Sequence, residues 1–135
     1  MQEYKSKQVR IERPAAMVYG VLSDFTTFTP FMHDKVEGWE ATPDRCSFRA
    51  KGMTIALRMV EREPERLVKI VSDEGSPLDF TLWIQMQEVA HEDTRMRLVL
   101  HVKLNMMMRM MIGSKLEEGV DQVAEQIAAM FNGNS

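Results

Sequence analysis

One switch of hydrophobic period governs what this chain can fold into. From Lys35 to Leu104 apolar side chains recur at every second residue between tight turns. From Asn105 to Phe131 they recur at every third or fourth. The first pattern is that of strands with one apolar and one wet face, and the second is one amphipathic helix. A sheet of that length has an apolar face to cover, and a single terminal helix is the only large element left to cover it. A curved sheet around one helix leaves a hollow between them.

The turns mark out the strands. Thr42-Pro43-Asp44 fixes a bend, with proline setting φ and Asp bonding the following backbone. Lys51-Gly52, Glu63-Pro64-Glu65, Glu74-Gly75-Ser76-Pro77 and Ala90–Asp93 supply the others. Between them Cys46, Phe48 and Ala50 share a face, as do Ile55, Leu57 and Met59, followed by Val68 and Ile70. Phe80, Leu82, Ile84 and Met86 form the longest apolar row, answered by Met96, Leu98, Leu100, Val102 and Leu104. Asp79, Thr81, Gln85, Gln87, Arg95, Arg97 and Lys103 stand on the opposite face. This is a meander of antiparallel hairpins.

Before the meander, Tyr4–Glu12 alternates as one strand. Pro14 opens a helix over Ala15–Leu22, since a first-turn residue has no use for its N–H. Its buried side is expected to be Met17, Val18, Val21 and Leu22, and Asp24 caps a second short turn carrying Phe25 and Phe28. In the last segment Met108, Ile112, Leu116, Val120, Val123, Ile127 and Met130 make one stripe. Gly113 and Gly119 interrupt it, at about 1 kcal/mol each relative to alanine, which suggests close packing or a bend.

Composition excludes several function classes. At 135 residues the chain is one domain, spanning 1–135, with an ordinary share of apolar side chains. A net charge of −3, with Lys and Arg dispersed among acids as in Glu61-Arg62-Glu63, argues against nucleic acid as partner. No apolar run is long enough to cross a bilayer and no apolar leader opens the chain, so the cytoplasm is the expected location. Cys46 is the only cysteine, so no internal disulfide forms.

No set of catalytic side chains stands out. Met106, Met107, Met108, Met110 and Met111 offer thioethers of the kind that suit Cu(I), but no His or Cys lies beside them. Methionine is unbranched and polarizable, and the run reads better as an adaptable apolar wall. His33 next to Asp34 has the composition of a general base, although neighbours in sequence seldom present their side chains that way. His101 belongs to the wet face and His91 to a turn. Cys46 falls on the apolar face with no cation to stabilise a thiolate. One cysteine and three separated histidines lack the spacing of a zinc site. The residues call for no metal and no cofactor.

The run Ile11-Glu12-Arg13-Pro14-Ala15-Ala16-Met17-Val18-Tyr19-Gly20-Val21-Leu22-Ser23-Asp24 with the following Phe25–Phe31 resembles the START/Bet v 1-like superfamily, the SRPBCC or polyketide cyclase/dehydrase-type proteins. The Gly52 break, the Glu61–Pro64 turn and Gly113-Ser114-Lys115-Leu116-Glu117-Glu118-Gly119-Val120 extend the likeness over nearly the whole chain. It implies an α+β helix-grip fold: a curved antiparallel sheet of about seven strands around a long C-terminal helix, with two short helices after strand 1. It also implies a deep apolar cavity. The expected function is binding or transport of a hydrophobic small molecule (lipid, quinone or polyketide-like) against Phe48, Leu57, Phe80, Leu82, Leu98, Leu100, Met107 and Met111. Tyr19, His33 and Trp39 would supply polar groups at its mouth. An aromatase/cyclase-like enzyme is the second reading, and a protein-interaction module with a filled cavity the third. The near-absence of titratable groups from the inner rows favours binding over catalysis.

Overall fold

The computed structural model describes residues 1–32, 34–50, 52–74 and 76–133. In chain order its elements are β1 (Gln2–Lys5), β2 (Val9–Ile11), α1 (Ala15–Leu22), a 3-10 turn (Phe25–Phe28), α2 (Thr29–Met32), β3 (Glu37–Ala41), β4 (Arg45–Ala50), β5 (Met53–Glu63), β6 (Leu67–Ser72), β7 (Phe80–Ala90), β8 (Asp93–Val102) and α3 (Met106–Asn132). The strands form one antiparallel sheet in the order β1-β8-β7-β6-β5-β4-β3, with β2 also paired to β8. The arrangement is an α+β helix grip.

The strand expected over Tyr4–Glu12 is broken in two, so the sheet has eight strands. Ser6 is the cause. Its N–H donates to Leu98 O at 2.9 Å, and its hydroxyl accepts the Leu98 N–H at 2.8 Å. The pairing then moves from Lys5↔Val99 to Val9↔Met96, which inserts one extra residue on the first strand. Such a bulge kinks the strand and raises its twist.

The register confirms the period-two rows. Cys46 pairs with Leu57, Phe48 with Ile55, Met59 with Ile70, Val68 with Ile84, Leu82 with Leu100, Ile84 with Leu98 and Met86 with Met96. All lie on the inner face, toward α1 and α3. On the outer face Trp83 meets His101 edge-on, with centroids 4.6 Å apart, and Lys69 Nζ stands 5.6 Å above the indole.

Local chemistry ends the helices as capping rules require. Asn105 Oδ1 accepts the Met108 N–H at the start of α3, and Gly133 closes it in the left-handed region at φ 76°. Asp24 Oδ1 accepts the Thr26 N–H at 2.8 Å. Helix α1 takes its cap from a distant strand, since the Ala15 N–H donates to Glu88 Oε1 at 2.6 Å. Val18 and Leu22 of α1 are fully buried, whereas Met17 is 49% exposed and not part of the buried side. Arg62, which its sequence neighbours mark as solvated, follows a register shift in β5 and ties Ser23 O, Pro43 O and Asp44 together.

Helix α3 packs over β1, β2 and β8, at one end of the strand order. Polar straps hold it there. The Lys7 N–H donates to Asp121 Oδ1 at 2.7 Å, and the Lys7 ammonium pairs with Glu125. Asn132 accepts the Glu12 N–H at 2.7 Å and donates to Arg10 O at 3.0 Å. Among the described residues each of these straps grips Asp121, Glu125 or Asn132, in the second half of the helix.

Candidate functional site: the open end of the inner face

The inner face divides into a closed end and an open end. Along β7, Ile84 and Met86 are buried, while Phe80 and Leu82 are half-exposed. Along β8, Met96 and Leu98 are buried, Leu100 is half-exposed, and Val102 beyond it is buried again. The same step recurs in β5, where Met59 is buried and Ile55 and Leu57 are not, and in β4, where Cys46 is buried and Phe48 is not. Helix α3 repeats it: Val120, Ala124, Ala128 and Phe131 are buried, whereas Met108, Ile112 and Leu116 are only half-buried. Four elements, β4, β5, β7 and α3, therefore loosen toward one end, and β8 does so only at Leu100. Each side chain in the closed part contributes about 1.5–3 kcal/mol by leaving water, and those at the open end contribute part of that.

The residues singled out from sequence fall unevenly on this division. Phe48, Leu57, Phe80, Leu82 and Leu100 lie on the inner face at the open end, all half-buried. Leu98 is 1% exposed and belongs to the closed core. Trp39 stands next to them, its ring 5.9 Å from that of Phe48, and its indole N–H donates to Thr29 Oγ1 at 2.9 Å. Tyr19 is half-buried against the core. His33 lies outside the described residues. Met107 and Met111 differ from expectation: they are 70% and 66% exposed, on the side of α3 away from Met108 and Ile112.

Sequence reasoning passed over Ile55, Met108, Ile112 and Leu116 as wall residues. The signal was present, since Ile55 shares the row of Leu57 and the three helix residues belong to the apolar stripe. The density of methionines drew attention to the wrong side of the same turns.

The site offers apolar contact and little acid–base chemistry. The Cys46 thiol is pushed up to about 12 by burial, which disfavours the thiolate a nucleophile needs. Ser72, on the inner row opposite Leu57, accepts the Phe80 N–H at 3.1 Å. Among the described residues no three His, Cys, Asp or Glu side chains come together as a metal site. Two hollows mix polar and apolar walls, and each takes in one buried residue of the inner rows, Met86 in the first and Cys46 in the second. One, of about 610 Å³, is lined by Glu63, Glu65, Arg66, Gln85, Gln87 and Glu88 among others. The second, of about 370 Å³, includes Glu40, Arg45, Ser47 and Asp73.

Solved structures share this architecture. A solution structure from Thermobifida fusca superposes with a TM-score of 0.72 at 17% identity, over 98% of this chain and 94% of that one. A START superfamily protein from Mycobacterium smegmatis gives 0.66 at 12% identity, over 95% and 98%. The fold is START/Bet v 1-like. The Aha1 dimer from Colwellia psychrerythraea has the same helix grip, with a TM-score of 0.68 at 12% identity over 98% and 97%. At such identities the START/Bet v 1-like likeness is one of shape. No family model matches the chain, and no curated protein matches it. Among the described residues no helix is long and apolar enough to cross a membrane.

Proposed function

We propose that the chain binds a hydrophobic small molecule, of lipid, quinone or polyketide-like character, at the open end of its inner face. The observation that carries this reading is the shared step in burial. Phe48, Leu57, Leu82, Leu100, Met108 and Ile112 present apolar surface that neither α1 nor the fastened half of α3 covers. A ligand there gains about 25 cal/mol for each Å² of apolar surface removed from water. Trp39 and Phe48 supply an aromatic wall, and Tyr19 and His33 are the candidates for orienting a polar head. The START-like neighbours support a binding fold and leave the ligand class to experiment. A cyclase reading asks for a titratable group at the open end of the inner rows; the carboxylate on the β7 row, Glu88, lies at the other end and accepts the Ala15 N–H, and Phe48, Ile55, Leu57, Phe80, Leu82 and Leu100 are apolar.

The test is native mass spectrometry of protein purified under mild conditions, followed by denaturing extraction. A stoichiometric apolar adduct that weakens in Leu100→Trp and Leu57→Trp supports the carrier reading and names the ligand class. A clean apo mass, with no thermal shift from fatty acids, sterols or quinones, rejects it in favour of the filled-cavity interaction module.

A further inference from the structure

Tyr4 and Arg109 come together where the first half of α3 passes over β1. Gly113 is buried there. The Tyr4 hydroxyl oxygen and Arg109 Cγ lie 3.3 and 3.8 Å from the point where a Gly113 β-carbon would stand. Tyr4 is half-buried and pairs with Leu100 across the β1–β8 ladder, so the two side chains share the inner face at its open end. Arg109 precedes Ile112 by three residues and Gly113 by four, which sets it on the side of α3 that these two turn toward the protein.

Neither polar group is satisfied within the fold. Among the described residues the Tyr4 hydroxyl enters no hydrogen bond, and the exposed Arg109 enters no ion pair. Packing accounts for neither. A phenyl ring would fill the same space under Gly113, and the positive end of the helix dipole disfavours a base so near the start of α3. From Thr94 to Leu116 the chain holds no Asp or Glu. The acids of α3 begin at Glu117, about 12 Å along the axis from Arg109. Further on, Asp121 and Glu125 are both engaged by Lys7. The corner therefore presents a hydroxyl and a guanidinium, both hydrogen-bond donors, beside the apolar Leu100 and Ile112.

We infer that this corner holds the acidic head of the ligand, which makes the ligand a long-chain carboxylate. The inference rests on the carrier reading and narrows its ligand class. A guanidinium fork matches the two oxygens of a carboxylate, and the Tyr4 O–H donates to the same group. The alkyl chain then lies over Leu100 and Leu82, which are neighbours across β8 and β7. A neutral quinone or sterol gains nothing from the guanidinium, so the corner favours the acid over both.

Calorimetric titration of the whole chain with decanoate and with 1-decanol, at neutral pH, separates head from tail because the two share a chain length. Decanoate is expected to bind about tenfold more tightly than decanol. Arg109→Gln should erase that preference with the thermal midpoint kept, since the side chain is exposed. Tyr4→Phe keeps the ring under Gly113 and should weaken decanoate binding by about fivefold. Equal affinity for the two probes overturns the inference while the carrier reading stands. So does a preference that Arg109→Gln leaves intact, or decanoate binding that Tyr4→Phe leaves unchanged. Acetate that displaces decanoate at equal concentration would reveal an anion site with no use for the tail, and overturns it too. Failure of both probes to bind overturns the carrier reading, and this inference with it.

Discussion

Tyr4 Oη lies 3.3 Å from the point where a β-carbon on Gly113 would stand. Gly113 is buried at this contact, and it lets the first half of α3 approach β1. Gly119, six residues on, has nothing within 4 Å of its missing β-carbon. Of the two helix glycines, only one is explained by close packing.

The two positions should therefore respond differently to alanine. Gly119→Ala gains helix propensity without a clash and should stabilise by about 0.5–1 kcal/mol, a rise of about 2–4 °C in Tm. Gly113→Ala gains the same propensity but must displace the Tyr4 hydroxyl, so its gain should be smaller or reversed. Equal shifts in thermal denaturation would show that the Tyr4–Gly113 contact constrains nothing.

Leu98 and Leu100 are two residues apart on the same face of β8, on either side of the step from closed to open core. Leu98→Ala should cost about 2–5 kcal/mol, because it leaves a cavity among packed neighbours. Leu100→Ala should cost about half of that or less, since its side chain is already partly in water. Urea denaturation with a common m-value measures both. Matching costs would mean that the open end is as tightly packed as the core.

Arg10 and Arg95 sit directly opposite each other on β2 and β8, an arrangement that like charge disfavours. Asp93 answers both, at 2.8 Å from Arg95 Nε and 3.5 Å from Arg10 Nε. The hydrogen bond from Arg95 and the two cationic charges hold the Asp93 carboxyl below its ordinary value of 3.8. A depressed carboxyl stabilises the fold above its unfolded pKa, and that stability is lost as pH falls through the folded value. Asp93→Asn should therefore lower Tm near neutral pH, and the difference should shrink below the ordinary value of 3.8. A gap that stays constant down to acid pH would assign the effect to hydrogen bonding alone.

Cys46 is buried, with its thiol pushed up to about 12 by desolvation. A thiol-reactive disulfide reagent should modify it at neutral pH no faster than the chain opens, and at once in denaturant. Rapid labelling of the folded protein would place Cys46 at an accessible site.

The strands and the long helix were legible because each has an unmistakable period, and inner rows such as Phe80-Leu82-Ile84-Met86 survive intact in the register. The break at Ser6 was hidden, because the hydroxyl that interrupts the strand acts through a partner, Leu98, far along the chain. The role of Arg62 was hidden for the same reason: its sequence neighbours are charged, but its partners, Ser23 O and Asp44, lie far along the chain.

The candidate site shows the same boundary. Period and composition by themselves determined which residues are apolar, which face of each strand they share, and that one helix must cover them. Only the tertiary structure decided how far along the sheet that cover extends. The straps from Lys7, Glu12 and Arg10 reach the second half of α3, and along β8 Leu98 is sealed, Leu100 is half-open and Val102 is buried again. Tertiary packing likewise set Met108 toward the protein and Met107 and Met111 toward water. A run of methionines is equally apolar all round, and only contacts with distant strands select the side that is buried.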